Sequence, residues 1–173
     1  MNVGRLEFIK ALCALALFAP QANAAIDVYF LRHGETPWNR AKILQGSISH
    51  VDLTDNGVRM AEETAKGLSA AGLLFGRIYT SPYLRARHTA EILSAGGAGP
   101  APVVDSRLRE MCFGRYEGMR YGSGAYPDDN LRFFFEEPEK YRPQGDGAET
   151  FDMVCERLRD FLENEIRPLD GKV

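Results

Sequence analysis

A histidine at position 33, between Arg32 and Gly34, is the first place in the chain where the residue types suggest chemistry. Neutral imidazole is a competent nucleophile toward phosphorus. An arginine beside it can neutralise phosphoryl oxygens through its forked guanidinium, and Gly34 allows a ligand to approach the backbone closely. The triplet alone is more typical of a solvated loop, so the elements around it must decide between the two interpretations.

The triplet directly follows an apolar segment, residues 26–31, that is rich in β-forming side chains. A run of this kind predicts a buried strand. Ligands of open α/β sheets bind at the carboxyl ends of the strands, which is where His33 stands. Its position therefore favours an imidazole directed at an anion.

Short apolar strands alternate with amphipathic helices in the rest of the chain. A loop-rich insert precedes the last helix. The strands are predicted at residues 26–31, 77–80 and 103–104, the helices after the N-cap Thr54, from Ser81-Pro82, and at 148–165, and the insert at 108–147. This alternation predicts an α/β layer fold around a mostly parallel sheet.

Five motifs stand in order along the chain. They are Arg32-His33-Gly34-Glu35-Thr36-Pro37-Trp38-Asn39, Gln45-Gly46, Asp52-Leu53-Thr54-Asp55-Asn56-Gly57, Thr80-Ser81-Pro82-Tyr83-Leu84-Arg85-Ala86 and Leu108-Arg109-Glu110-Met111-Cys112-Phe113-Gly114-Arg115-Tyr116-Glu117-Gly118. The set resembles the histidine phosphatase superfamily, also called the phosphoglycerate mutase-like family, and most of all its broad-specificity phosphatases. The resemblance runs from residue 28 to about residue 169, and it implies three layers, a mostly parallel sheet with helices on both faces.

The resemblance implies four catalytic residues. His33 matches the histidine that the family phosphorylates, and Arg32 and Arg85 match the two arginines of its phosphate pocket. Glu110 matches the acid that protonates the leaving oxygen. These roles fit the chemistry, because phosphoryl transfer depends on positioning and on stabilisation of charge at the oxygens, and because an alkoxide leaving group needs a proton.

The same resemblance implies a phosphate-binding set. Asn39 matches a polar residue that contacts the phosphoryl group, and Gln45 and Gly46 belong with Arg32 and Arg85 to the substrate-binding residues. The expected partner is a small phosphorylated substrate. No metal and no cofactor is expected, since the arginines supply the positive charge that Mg²⁺ supplies in other phosphoryl-transfer sites.

The leading functional prediction is a phosphatase that hydrolyses phosphomonoesters through a phosphohistidine on His33. One alternative is a phosphoglycerate-type mutase, and another is a truncated, non-catalytic protein that binds phosphorylated ligands. Residues 45–52 and the insert look more like the broad phosphatases than like the glycolytic mutases. The three phenylalanines at 133–135 either pack in the core or form an apolar wall over the substrate.

One part of the family pattern has no counterpart here. The family carries a second catalytic histidine in a His-Gly pair after a late strand, which lies beside the first strand of its sheet. The sequence has three histidines, His33, His50 and His88, and neither of the last two matches that motif. The printed chain stops where a strand could begin, at residues 172–173. We therefore expect a truncated chain and an incomplete phosphatase domain over residues 25–173, and a complete, compact variant of the domain is the alternative.

Residues 1–24 have the layout of a secretory signal peptide. A positive start leads into an apolar run, then a proline, then a small-x-small cleavage site, in the order Arg5 and Lys10, residues 11–19, Pro20 and Ala22-Asn23-Ala24. The layout predicts export to the periplasm or the medium, with no stable membrane span after cleavage. A buried N-terminal helix is the alternative.

The bulk composition narrows the partners. With 173 residues and a formal net charge of −3, the chain is not a strongly basic nucleic-acid binder. Outside the predicted signal peptide it has two cysteines, Cys112 and Cys155. A disulfide between them and two separate thiols are both open, because pairing depends on geometry. Nothing in the sequence indicates an oligomeric state.

Overall fold

The computed structural model describes residues 26–122 and 126–169. The predicted signal peptide, residues 1–24, and residues 172–173, where a strand could begin, lie outside the described residues. The elements in chain order are α1 (Pro37–Arg40), α2 (Asp55–Ala70), β1 (Tyr79–Thr80), α3 (Leu84–Ala95), β2 (Val103–Val104), α4 (Asp129–Glu136) and α5 (Phe151–Phe161), with single 3₁₀ turns at Ser106–Leu108, Gly114–Tyr116, Pro138–Lys140 and Arg167–Leu169 and a π turn at Leu162–Ile166.

Strands β1 and β2 form a parallel pair. Tyr79 is opposite Val103 and Thr80 opposite Val104, and the connection between the two strands runs through α3. A parallel pair needs such a crossover, and a helix is its usual form. The α/β class predicted from the alternation is therefore confirmed by this unit.

The prediction of a buried strand at residues 26–31 is wrong. The segment has no strand ladder in this structure, and its side chains are exposed, with 62% of Phe30 and 48% of Leu31 accessible to solvent. Within the described chain no backbone hydrogen bond joins it to another segment. An apolar run indicates what a segment tends to bury, but a ladder also needs a neighbouring strand with free backbone groups.

Helix α2 begins where its sequence signal lies. The Thr54 hydroxyl accepts a hydrogen bond from the backbone N–H of Gly57 at 3.0 Å, which satisfies one of the unpaired donors at the helix start. Ala61 and Ala65, on the predicted apolar face, are 3% and 2% exposed. The predicted N-cap and apolar face are confirmed, and they orient α2 toward α3.

Helix α3 begins later than the Ser81-Pro82 signal predicts. The Ser81 hydroxyl accepts from the backbone N–H of Tyr83 at 3.4 Å, and the helix begins only at Leu84, with Tyr83 as an N-cap that makes no side-chain cap bond. The serine serves a turn before the helix. The shift brings Arg85 into the first turn, where it is buried.

The largest core cluster lies around the insert and α5. Its buried members are Leu44, Met111, Phe113, Tyr116, Leu131, Tyr141 and Val154. Phe134 contacts Phe113 edge to face, with ring centres 4.7 Å apart, and stacks on Phe151. Of the two interpretations of residues 133–135, the structure therefore shows core packing.

Cys112 and Cys155 are free, half-buried thiols, so the disulfide alternative is not realised. The last helix is shorter than the predicted range of 148–165, since its α-helical part covers Phe151–Phe161. The Thr150 hydroxyl caps its start by accepting from the Met153 backbone N–H. No helix among the described residues is long and apolar enough to cross a membrane.

Candidate active site

The ring of His33 is oriented by its own backbone. Its Nδ1 lies 2.7 Å from the carbonyl oxygen of Gly34. A carbonyl oxygen only accepts hydrogen bonds, so Nδ1 carries the proton and donates it. In a neutral ring the lone pair is then on Nε2, which is the nitrogen that can act as a nucleophile.

The surroundings of His33 keep its ring neutral. The pKa of His33 is lowered from 6.5 to about 4, chiefly by burial; the positive charges of Arg85 and Arg32 act in the same direction, and the hydrogen bond to Gly34 opposes them. Desolvation and like charge both disfavour the imidazolium. Near neutral pH His33 is therefore an unprotonated base in a positively charged environment.

The loop that carries His33 is held against two helices. The Gly34 N–H donates to the Thr89 hydroxyl of α3 at 3.1 Å, and that hydroxyl donates to the Arg85 carbonyl at 2.7 Å. A Cβ at residue 34 would lie 2.4 Å from the Gly57 carbonyl oxygen in α2. The sequence suggested that Gly34 serves ligand approach, but here its missing side chain allows this contact between loop and helix.

Asn39 takes part in a capping box at the start of α1. Its Oδ1 accepts from the Thr36 N–H at 3.1 Å, while its own N–H donates to the Thr36 hydroxyl at 3.1 Å. Thr36 is fully buried. Because Oδ1 is engaged, the orientation of the Asn39 amide is set, and its Nδ2 donors are the part of the group suited to an anion.

Arg85 is buried and anchors a loop. Its guanidinium donates to the carbonyl oxygens of Ile48 at 2.6 Å and Gly46 at 2.8 Å, and only 2% of the residue is exposed. Burial lowers the pKa of Arg85, while the charges of Glu110 and Glu117 raise it. Two of the five N–H donors hold the loop, which leaves others for a phosphoryl oxygen.

Arg32 differs from Arg85 in being exposed, although its charge also acts on the ring of His33. A cavity of about 140 Å³ lies beside the imidazole, and its wall includes Ala61 of α2 and Thr89 of α3. The two arginines therefore stand in different environments, one inside the fold and one at its surface.

Gln45 and Gly46 are buried at the start of the loop that Arg85 holds. The Gln45 side-chain oxygen is buried with no hydrogen-bond partner among the described residues. Gly46 has a φ of +49°, and its carbonyl accepts from Arg85. The structure thus shows Gly46 in contact with a predicted phosphate-binding arginine.

Glu110 is exposed, and its Oε1 accepts a hydrogen bond from the Met111 N–H at 2.9 Å. A surface ion pair with the nearby Arg107 or Arg109 is the structural role that the sequence around Glu110 would allow. Arg109 pairs instead with Glu149 at 2.7 Å, and Arg107 pairs with other acids. The partners of Arg107 are Asp105, Asp160 and Glu165.

Glu149 holds the loop that carries Glu110. It is 3% exposed, and its carboxylate accepts from the Cys112 N–H at 2.9 Å and from Arg157 and Arg109. Burial raises its pKa, but the hydrogen bonds from Arg157 and Cys112 and the positive charges of Arg157 and Arg109 together outweigh burial, so the net pKa is lowered. Nothing in the sequence singles out this residue, because Cys112 and Arg109 lie 37 and 40 residues away from it in the chain.

The other two histidines are engaged or exposed. His88 Nδ1 donates to the Asp52 carboxylate at 2.8 Å, and His50 is exposed. Within the described part of the chain no hydrogen bond joins either ring to His33. In the same residues no group of three or more His, Cys, Asp or Glu side chains is placed to hold a metal ion.

The fold and this site define a class of protein. The model of the histidine phosphatase superfamily (branch 1) matches residues 28–172, so the chain belongs to that superfamily. The resemblance of the five motifs is thereby confirmed.

Among the relatives, some are named as mutases and another as a phosphatase. The "Probable phosphoglycerate mutase GpmB" of Cronobacter sakazakii is 34% identical over 139 residues, which cover 79% of this chain and 61% of that protein. The "Putative phosphoserine phosphatase 2" of Hydrogenobacter thermophilus is 34% identical over 139 residues, 79% of this chain and 65% of that protein. This chain thus spans about three fifths of the length of the curated relatives it matches.

A solved structure agrees at the level of the fold. The crystal structure of a phosphoglycerate mutase from Thermus thermophilus is similar with a TM-score of 0.58 and 32% identity, and the match covers 77% of this chain and 68% of that one. The α/β class predicted from the sequence is therefore shared with a phosphoglycerate mutase.

Proposed function

We propose that the protein is a phosphomonoesterase in which His33 accepts the phosphoryl group. One observation carries the proposal. The Nδ1 proton of His33 is donated to the Gly34 carbonyl, and the lowered pKa of about 4 leaves Nε2 unprotonated near neutral pH. An oriented, unprotonated nitrogen beside two arginines is suited to attack an anionic phosphoester.

The proposed reaction has two balanced steps. In the first, the Nε2 lone pair of His33 forms an N–P bond, the ester P–O bond breaks, and protonated Glu110 gives its proton to the leaving oxygen. In the second, Glu110 takes a proton from water, the water oxygen forms a P–O bond, and the N–P bond breaks to return neutral imidazole. Arg32, Arg85 and the Asn39 amide stabilise the charge on the phosphoryl oxygens.

A phosphoglycerate mutase is the second candidate. The relative named phosphoglycerate mutase GpmB, at 34% identity, favours it. Its first step would be the same transfer to His33, and the phosphoryl group would then return to a hydroxyl of the phosphoglycerate. The two candidates differ in whether water or a sugar-acid hydroxyl receives the phosphoryl group from His33.

Two further inferences describe the setting of the site. Residues 1–24 act as a signal peptide, so that the domain begins near residue 25 and works in the periplasm or the medium; the order of charge, apolar run and Ala-Asn-Ala supports this. The sheet is mostly parallel with helices on both faces, which the parallel pair of β1 and β2 supports. Sequencing of the N-terminus of exported protein should begin at Ala25, and an intact Met1 would contradict export.

Phosphate release from an aryl phosphate tests the proposed activity. We expect the parent protein to release phosphate, His33→Ala to abolish both release and acid-labile phosphate labelling, and His50→Ala to behave like the parent, because His50 is an exposed loop residue. Equal release by the parent and His33→Ala would overturn the mechanism. Interconversion of phosphoglycerates without net phosphate release would select the mutase, and phosphate binding without turnover would select a non-catalytic binder.

A further inference from the structure

The glutamate at position 117 makes three hydrogen bonds to two separate loops. Its Oε1 accepts from the Ser47 N–H at 2.6 Å and from the Phe113 N–H at 3.1 Å, and its Oε2 accepts from the Ser47 hydroxyl at 2.8 Å. One loop, residues 46–48, is held on its other side by Arg85. The other loop, residues 110–113, carries Glu110.

The backbone on which Glu117 stands is itself held in place. Its N–H donates to the Gly114 carbonyl, the next N–H, from Gly118, donates to the Leu44 carbonyl at 2.9 Å, and the Leu44 N–H donates to the Met119 carbonyl. These bonds join the turn that carries Glu117 to the residues just before the 46–48 loop. The backbone position of Glu117 is therefore fixed relative to the 46–48 loop that its carboxylate binds.

The close approach of Glu117 also explains a glycine. A Cβ at residue 46 would lie 2.3 Å from Glu117 Oε1, and Gly46 has a φ of +49°. A larger residue at position 46 would push the carboxylate away from Ser47. Gly46, Ser47 and Glu117 thus form one interlocking unit.

We propose that Glu117 is a positioning residue that sets the distance between the phosphate-pocket loop and the loop that carries the general acid. The proposal rests on the proposed function, since it assigns Arg85 to the phosphate and Glu110 to the leaving oxygen. Arg85 donates to the carbonyls of Gly46 and Ile48. Glu117 accepts from the N–H and the hydroxyl of Ser47, which lies between those two residues. The same carboxylate then ties that loop to Phe113, three residues after Glu110.

Two substitutions separate the reach of Glu117 from its charge. Glu117→Gln keeps the length of the side chain, and its amide oxygen can accept from both N–H groups while its NH₂ donates to the Ser47 hydroxyl. Glu117→Asp keeps the charge but withdraws the carboxylate by about 1.5 Å. Glu139→Asp is the matched control, because it makes the same change on an exposed glutamate of the insert.

Two measurements are made on the full chain. NMR gives the hydrogen-exchange rates of the Ser47 and Phe113 amides, and steady-state assays give kcat and KM for an alkyl and an aryl phosphate. In Glu117→Asp we expect faster exchange at both amides and a fall in kcat for the alkyl phosphate of about 10²-fold, the scale of a misplacement near 1 Å. The aryl phosphate should lose less, since its leaving group needs little help from Glu110. Glu117→Gln and Glu139→Asp should match the parent in exchange and in both kinetic constants.

Each remaining outcome decides the proposal. Parent-like exchange and kinetics in Glu117→Asp would overturn it, and so would a Glu117→Gln protein as impaired as Glu117→Asp, because the charge beside Arg85 would then be what matters. If Glu117→Asp does not fold, the Glu117→Gln protein decides alone, parent-like values supporting the proposal and impaired ones overturning it. If the parent and His33→Ala are both inactive, the proposed function fails, and the amide exchange still tests the role of Glu117.

Discussion

The imidazole of His33 is kept neutral by burial and by two arginines, and this has a consequence for pH dependence. The proposed attack on phosphorus needs the unprotonated ring, so on the acid side activity is lost as the pH falls through the His33 pKa of about 4. The substrate's phosphate group also ionises, with a pKa of about 6. After correction for that ionisation, we expect kcat/KM to fall on the acid side with a midpoint near pH 4. The pH dependence of kcat/KM reports the pKa values of the free enzyme. The measurement uses an aryl phosphate, whose leaving group depends little on the proton from Glu110. A limb near the ordinary histidine value of 6.5 would contradict the effect of burial on His33.

The role proposed for Glu110 also makes a prediction at the scale of one residue. Its neighbours Arg107 and Arg109 are paired with other acids, so its carboxylate is not held in a surface ion pair with them. An alkoxide leaving group needs a proton far more than an aryl oxide does. Glu110→Gln should therefore slow an alkyl phosphate by about 10²–10⁴-fold and an aryl phosphate much less. Equal losses on the two substrates in steady-state assays would indicate a structural role instead.

The candidate site residues that the sequence predicts lie in contiguous motifs, and those that it does not predict make contacts over long distances in the chain. His33, Arg85 and Glu110 belong to motifs of contiguous residues. The side chains that hold the loops of the candidate site bind backbone groups far away in the chain: Thr89 binds an N–H 55 residues away, and Glu117 binds one 70 residues away. Each also has an ordinary local explanation, as part of an apolar face or as a surface acid, so the chain alone gives no reason to single it out.

At the scale of elements, local signals succeeded where the helix or strand depends on its own residues. Thr54 caps α2 because cap and first turn are adjacent in sequence. The Ser81-Pro82 signal predicts the start of α3 two residues too early, since a serine can serve a turn as well as a cap. The strand predicted at residues 26–31 depended on a partner, and apolar composition carries no information about which segment lies beside it.

The start of α2 connects helix stability to the site. The Thr54 hydroxyl accepts from the Gly57 N–H and donates to the Glu35 carboxylate at 2.8 Å, two residues after His33. Thr54→Ala should lower the free energy of unfolding by about 0.5–2 kcal/mol, the usual value of an N-cap. Thr64→Ala is the matched control, because the exposed Thr64 hydroxyl bonds to the Met60 carbonyl one turn back in the same helix. Urea unfolding measures both, and equal losses would show that the Thr54 cap contributes nothing particular.

At the scale of the whole molecule, the buried apolar side chains fall into two groups. One surrounds the insert and α5, and the other, of Ala65, Leu93 and Ala98, lies between α2 and the end of α3. The site lies where elements of both groups meet, since Thr89 of α3 holds the His33 loop and Glu117 and Glu149 hold the loops of the insert. Loss of packing in either group should therefore affect the site.

The exposed segment before His33 leads to a prediction about the solution behaviour of residues 25–173. Val28, Tyr29, Phe30 and Leu31 are consecutive, uncharged and between 43% and 62% exposed. Four exposed apolar residues in a row, rich in β-formers, are a site of aggregation. Phe30→Ser should raise the concentration at which the protein aggregates, with little change in the midpoint of thermal unfolding, because the Phe30 side chain is mostly in water already.

The matched control for that experiment is Met153→Ser. Met153 is 47% exposed, but it stands on α5, with Asp152 exposed before it and Val154 buried after it, and single exposed apolar residues are ordinary. Light scattering against concentration, at a temperature well below unfolding, should separate the two variants, with Met153→Ser aggregating like the parent. If Phe30→Ser instead lowered the unfolding midpoint by as much as the loss of a buried phenylalanine, residues 26–31 would be packed rather than exposed in solution, which would contradict the prediction.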